Sequence, residues 1–89
     1  MPIEDSFSTR VLQAVRTIPR GSTKSYKDIA IMAGSPKAYR AVGMIIAQNY
    51  DPAIPCHRVI HADGRLGHYN RGDEKKRQLL IEEGALIIR

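Results

Sequence analysis

The sequence predicts a single α+β domain, mostly helical, built on a helix-turn-helix of winged-helix-like type with a short β-hairpin after its only cysteine. Three observations predict it. Apolar residues Phe7, Val11, Ala14, Val15 and Ile18 recur at helical spacing. Two further helix signals meet at Gly34, within the span of a tight turn. Asp63-Gly64, a strong turn pair, separates two short extended stretches.

Length and charge bound the answer. With 89 residues the chain is one domain by any length prior and must bury a compact, simple core. The net charge of +5 favours a polyanionic partner, with nucleic acid first among them. Ten of its 14 Lys and Arg residues are spread from Arg10 to Arg71, so folding has to assemble any basic face. A lone cysteine cannot close an internal disulfide, and no cationic leader with an apolar run opens the chain. A reducing compartment is expected, cytoplasmic, or nuclear in a eukaryote. No apolar run approaches the roughly 20 residues that span a bilayer, so no membrane partner is expected.

The first helix follows the Phe7 to Ile18 pattern, with Ser6 or Asp5 placed to cap it and Pro19 to Gly21 placed to stop it. A turn leads to Ser25, which with Asp28 three residues on resembles a capping box opening a short helix over 26–33. Gly34 ends that helix. Ser35 is placed as N-cap and Pro36 at the first helical position of a third helix, which carries Val42, Ile45 and Ile46 and ends near Gln48. Such a pair, in a basic chain, makes a helix-turn-helix whose second helix usually enters a DNA groove. It fits an ordinary helical hairpin in a small core equally well.

Residues 49–53 form a loop, and 54–62 an extended segment whose end, 59–61, pairs with Arg65 and Leu66 across the Asp63-Gly64 turn. A glycine-flanked loop over 67–72 leads to a last helix. Asp73 and Glu74 suit its N-terminus, Leu79, Leu80 and Glu83 follow at helical spacing, and Gly84 closes it. Residues 85–88 form an apolar tail expected to pack on the core.

The extended segment holds Pro55-Cys56-His57-Arg58-Val59. Cysteine is a nucleophile as thiolate, and a nearby imidazole or cation is the usual means of lowering its pKa from about 8.5. Adjacency leaves two readings open. Neighbours on a strand face opposite ways, so Cys56 could equally be a buried apolar residue beside a solvated His57. No cysteine cluster is present to hold zinc, and neither a metal nor another cofactor is expected.

Several separated segments resemble one family, the O6-alkylguanine-DNA alkyltransferases, or methylated-DNA–protein-cysteine methyltransferases, in their C-terminal domain. The resemblance starts near Phe7 and runs through Ser25-Tyr26 and Ala33-Gly34-Ser35-Pro36-Lys37-Ala38-Tyr39-Arg40-Ala41-Val42-Gly43. It passes Asn49 to Ile54-Pro55-Cys56-His57-Arg58-Val59-Ile60 and ends with Tyr69, Leu79-Leu80 and Glu83-Gly84. The Pro-Cys-His-Arg-Val run after an Arg-Ala-Val-Gly helix is its most specific part.

The resemblance implies that the protein takes an alkyl group from guanine O6 in duplex DNA onto its own cysteine and is consumed. It implies Cys56 as acceptor, His57 as base acting through a bound water, and Glu83 as the carboxylate that orients the imidazole. Tyr69 is implied as proton donor near the base, and Asn49 as a brace between the recognition helix and the cysteine segment. Stacked guanine is inaccessible, so base flipping is implied. Arg40 would fill the vacated stack from the minor groove, Tyr26 would crowd the target phosphate, and Ser35 and Lys37 would donate to flanking phosphates. Small residues such as Ala41 would permit close approach. A monomer acting on double-stranded DNA that contains O6-alkylguanine is the expected arrangement.

The sequence also departs from the family. Only about six residues precede the first matching helix, so residues 1–89 are expected to form the C-terminal-type domain without the N-terminal one. His68, Asn70 and Arg71 stand where many relatives have smaller residues, often glycine at Arg71, where a cation would narrow the pocket or add a DNA phosphate contact. The link from Arg40 to Cys56 is a residue shorter than in some relatives. The main rival reading is an alkyltransferase-like lesion sensor, which binds O6-alkylguanine without reacting and recruits nucleotide excision repair. Such sensors usually carry tryptophan where this chain has Cys56. A basic regulator would leave Cys56, His57 and Glu83 idle, and a cysteine hydrolase lacks an oxyanion motif.

Overall fold

The computed structural model describes residues 6–86, which form four helices and a two-stranded parallel sheet. Helix α1 (Phe7–Arg16) starts at Ser6, whose Oγ accepts from the Thr9 N–H at 3.2 Å. The other cap candidate, Asp5, lies outside the described residues. Val11, Ala14 and Val15 of α1 are buried, and Ile18 just past its end joins them in the core.

Strand β1 (Lys24–Ser25) runs directly into helix α2 (Tyr26–Met32). The expected capping box is complete: Ser25 Oγ accepts from the Asp28 N–H at 2.9 Å, and the Ser25 N–H donates to Asp28 Oδ2 at 3.0 Å. Ser25→Ala should therefore cost about 1 kcal/mol, read as a lower urea midpoint at unchanged m-value. An unmoved midpoint would show the box to be idle. At the other end Gly34 takes φ +88°, its N–H bonds Ile31 O and the Ser35 N–H bonds Ala30 O. This pairing satisfies the orphan carbonyls of the last turn and redirects the chain into the next helix.

Helix α3 (Tyr39–Ala47) starts three residues later than the Ser35–Pro36 signal suggested. The Ala38 N–H bonds Ser35 O at 2.9 Å, so residues 35–38 close a separate turn, and α3 begins after it without a side-chain cap. Helices α1, α2 and α3 pack together through Val11, Val15, Ile29, Ala30 and Val42, all buried.

After α3 the chain loops to a 3-10 turn, Cys56–Arg58, and to strand β2 (Val59–Ile60). The turn at Asp63-Gly64 forms, with the His61 N–H on Arg65 O at 2.8 Å and Gly64 at φ +93°. Among the described residues no strand follows it. Strand β2 pairs in parallel with β1 instead, Lys24 opposite Val59 and Ser25 opposite Ile60. That pairing matters for the site, because it carries the cysteine turn to the start of α2. Helix α4 (Asp73–Glu82) follows, with Glu83 as its C-cap, and the N–H groups of Ala85 and Leu86 fold back on Leu80 O. The rest of the expected apolar tail, Ile87 and Ile88, lies outside the described residues.

Candidate active site

Cys56 opens the 3-10 turn behind Pro55 and belongs to the hydrophobic core, 4% exposed. Among the described residues its sulfur has one hydrogen-bond partner, Asn49, whose Nδ2 donates to Sγ at 3.1 Å from the loop that follows α3. Burial pushes the thiol pKa up, and the Asn49 hydrogen bond and the nearby Arg71 and Lys76 charges offset this in part. The resting sulfur is therefore a thiol that needs a base. The packing reading holds for Cys56, which is a core residue, and fails for His57, which is buried beside it, 9% exposed, and not solvated.

His57 Nε2 lies 2.9 Å from Glu83 Oε2. Arg58 grips the same carboxylate as a fork, Nε to Oε1 at 2.9 Å and a terminal nitrogen to Oε2 at 2.8 Å, while its other terminal nitrogen donates to Ile18 O. Arg58, then His57, holds the Glu83 carboxyl down at about 2. An ionised carboxylate only accepts, so His57 donates through Nε2–H, and the neutral ring in that tautomer carries its acceptor lone pair on Nδ1. Glu83 thus joins α4 to the cysteine turn, and through Arg58 to the end of α1.

Two cavities flank this centre. One of about 680 Å³ is lined by Tyr26 from α2, Tyr39, Arg40 and Gly43 from α3, and Tyr69 and Asn70 from the loop before α4. It is large enough to take a nucleobase. The Tyr69 ring meets the His57 ring edge-on at 6.3 Å, and the Tyr26 ring lies 5.1 Å from that of His61. Burial raises the Tyr26 hydroxyl pKa. The second cavity, about 400 Å³, is lined by His57, Tyr69 and Arg71 among others.

The sequence-predicted residues thus separate into groups. Cys56, Asn49, His57, Glu83 and Tyr69 converge, and Tyr26 and Arg40 face the cavity that Tyr69 shares. Ser35 and Lys37 stand apart, on the turn before α3, and Ala41 is half-buried away from the cavity. Arg71 does not narrow the first cavity: its guanidinium donates to Tyr50 O and borders the second.

Three residues given no role by the sequence are central here. Arg58 is the main partner of Glu83, a role hidden by the conspicuous Cys-His pair beside it. Lys76 is 1% exposed, donates to Val59 O at 2.7 Å and lies 5.9 Å from the Tyr26 ring. Burial lowers its pKa to about 8. It sits in a run of charged residues, but its spacing of four from Leu80 and seven from Glu83 places all three on one helix face. Asn70 Nδ2 donates to Ala47 O at 2.9 Å and Asn49 O at 2.6 Å, fastening the end of α3 to the loop that carries Asn49. Among the described residues no cluster of three metal-ligating side chains occurs, and no helix is long and apolar enough to cross a membrane.

Fold and site together define a class: a helix-turn-helix domain with one buried cysteine, an imidazole next to it held by a carboxylate, and a base-sized cavity whose Tyr69 wall meets that imidazole. The family model for the 6-O-methylguanine DNA methyltransferase DNA-binding domain matches residues 6–85, and the chain belongs to this family of methylated-DNA–protein-cysteine methyltransferases. It is 45% identical to the methylated-DNA–protein-cysteine methyltransferase of Mus musculus, covering 91% of this chain and 40% of that protein. To the Methanosarcina barkeri protein of the same name it is 46% identical, covering 96% and 55%. The chain spans about half the length of the curated relatives it matches. Among solved structures, Mycobacterium tuberculosis OGT in complex with DNA superposes with a TM-score of 0.83 at 47% identity, covering 88% of this chain and 48% of that one. S. pombe Atl1, in complex with damaged DNA containing O6-carboxymethylguanine, superposes with a TM-score of 0.81 at 32% identity, covering 94% and 80%.

Proposed function

We propose that this chain repairs O6-alkylguanine in duplex DNA by irreversible transfer of the alkyl group to Cys56. One observation supports this best: the only thiol is bonded by Asn49, and the next side chain is an imidazole whose Nε2 is held by Glu83 at 2.9 Å. In the proposed step His57 Nδ1 takes the thiol proton through a water. The sulfur lone pair forms an S–C bond to the alkyl carbon, and the C–O6 bond breaks with its pair left on guanine. Guanine regains a proton, with the Tyr69 hydroxyl as donor. No second substrate reverses this, so each molecule acts once.

A stacked guanine must leave the helix to reach the first cavity. Arg40, exposed on α3 at the cavity rim, is the group proposed to occupy the gap from the minor-groove side. Tyr26 bears on the flipped nucleotide, and Ser35, Lys37 and Ala41 on the flanking backbone. Arg40→Ala should slow transfer from duplex DNA at least about tenfold more than transfer from a free O6-alkylguanine base, since only the duplex requires flipping. Equal losses would remove Arg40 from that role.

A second reading, a non-reacting lesion sensor, draws support from the match to Atl1 over 80% of its length and from the raised thiol pKa. Intact-mass measurement after mixing with duplex O6-methylguanine decides between them. One methyl adduct on Cys56 is the expected result. Tight lesion binding at unchanged mass would establish the sensor.

A further inference from the structure

The outer face of α3 is apolar where a solvated helix would be charged. Only Arg40 among its nine residues carries a charge, whereas six of the ten residues of α4 do. Arg40, Met44 and Ala47 are exposed and, four and three residues apart, form one stripe along the helix. Met44 is 66% exposed, the most of any large apolar side chain among the described residues. Arg40 and Ala47 also line the base-sized cavity, so the stripe follows its edge. A single exposed apolar side chain is ordinary, but this one stands one turn beyond the arginine proposed to enter DNA. Such a stripe is far smaller than the roughly 20–30 residues a side of a stable protein interface, and it suits a groove about 6 Å wide. Phosphates would call for cations, whereas the base steps that floor a minor groove accept an apolar wedge.

We propose that Met44 is a second wedge, apolar where Arg40 is charged, and that it makes base flipping depend on the DNA sequence beside the lesion. The inference rests on the flipping reading above and adds a specificity to it. Four residues of α-helix advance about 6 Å, close to two base-pair steps of roughly 3.4 Å. With α3 along the groove and Arg40 in the vacated stack, Met44 therefore meets the step about two base pairs from the lesion. Its unbranched thioether presses on that step and loosens the stacking, which bends the duplex and eases extrusion of the guanine. Loosening costs least at flexible pyrimidine–purine steps such as TA and most in stiff A-tracts.

The test uses duplexes with one O6-methylguanine, alike except for a TA or an AA step about two base pairs from it, placed in turn on either side. Both steps present the same minor-groove acceptors, so they differ in stiffness and not in the groups a side chain can read. Single-turnover transfer by the native chain should be about fivefold faster with TA on one side of the lesion. In Met44→Ala this ratio should fall to about one, and in Met44→Leu, which keeps an apolar wedge, most of it should remain. Taking the ratio within each chain cancels any change in folding or thiol reactivity. A native ratio of about one on both sides overturns the inference. So does a ratio that survives in Met44→Ala or vanishes in Met44→Leu. So does a Met44→Ala chain as fast as native on the TA duplex, because Met44 would then be idle or in the way. If no duplex transfers its methyl group, the transfer reading fails and equilibrium binding of the same duplexes decides. About fivefold tighter binding of the TA duplex, lost in Met44→Ala, sustains the wedge, and equal affinities end it.

Discussion

Cys56→Ser is expected to lose alkyl transfer by roughly 10³-fold or more while keeping its affinity for O6-methylguanine duplex within about threefold of native. A serine hydroxyl is close to the thiol in size and can still accept from Asn49 Nδ2, the hydrogen-bond partner of the sulfur. The loop geometry and both cavities should survive. Reactivity should not, because a hydroxyl is far harder to ionise than a thiol and is a weak nucleophile without a base strong enough to take its proton. The native thiol already depends on such help, since burial raises its pKa. Intact mass reads the transfer and fluorescence anisotropy reads the binding. Transfer surviving the substitution would place the acceptor elsewhere, and loss of lesion binding would make Cys56 a packing residue first.

What the sequence revealed and what it hid divide along physical lines. Capping and glycine termination act within a few residues, so Ser6, the Ser25–Asp28 box and the Gly34 stop were legible. Pro36 misled for a related reason: it suits a first helical position, but the Ser35–Ala38 turn already closes there. Strand pairing between β1 and β2 joins residues about 35 apart in the chain, as Lys24 opposite Val59, and no local pattern reports it. The site shows the same division. Cys56 and His57 announce themselves as adjacent and chemically distinctive, whereas Arg58 reads as one more cation in a chain of net charge +5. Its role needs Glu83, 25 residues on, and only folding shows that one carboxylate serves both the imidazole and the guanidinium.

That shared carboxylate makes Glu83→Gln the substitution expected to lower stability and chemistry together. Glu83 is 6% exposed, and its pKa falls from an ordinary 4.5 to about 2 through Arg58 first and His57 second. A carboxylate depressed by folding adds stability that is fully present above pH 4.5 and is lost as pH falls toward 2; for this shift the amount is on the order of 3 kcal/mol. The amide accepts through one oxygen only, so it breaks the Arg58 fork and leaves a half-buried guanidinium short of a partner. The variant should be less stable at pH 7 by about that amount, read from urea unfolding, and its stability should lose the component of acid dependence between pH 4.5 and 2 that native shows. Transfer should also slow by about 10²-fold, because a neutral amide neither fixes the His57 tautomer nor stabilises its imidazolium. Arg58→Met separates the two effects: it removes the fork and its stability but leaves the bond between His57 Nε2 and Glu83, so transfer should fall less than in Glu83→Gln. If the acid limbs of native and Glu83→Gln stability run parallel, the ion pair is not the source of the acid dependence. If Arg58→Met slows transfer as much as Glu83→Gln, the carboxylate acts by bracing the fold and not by orienting the imidazole.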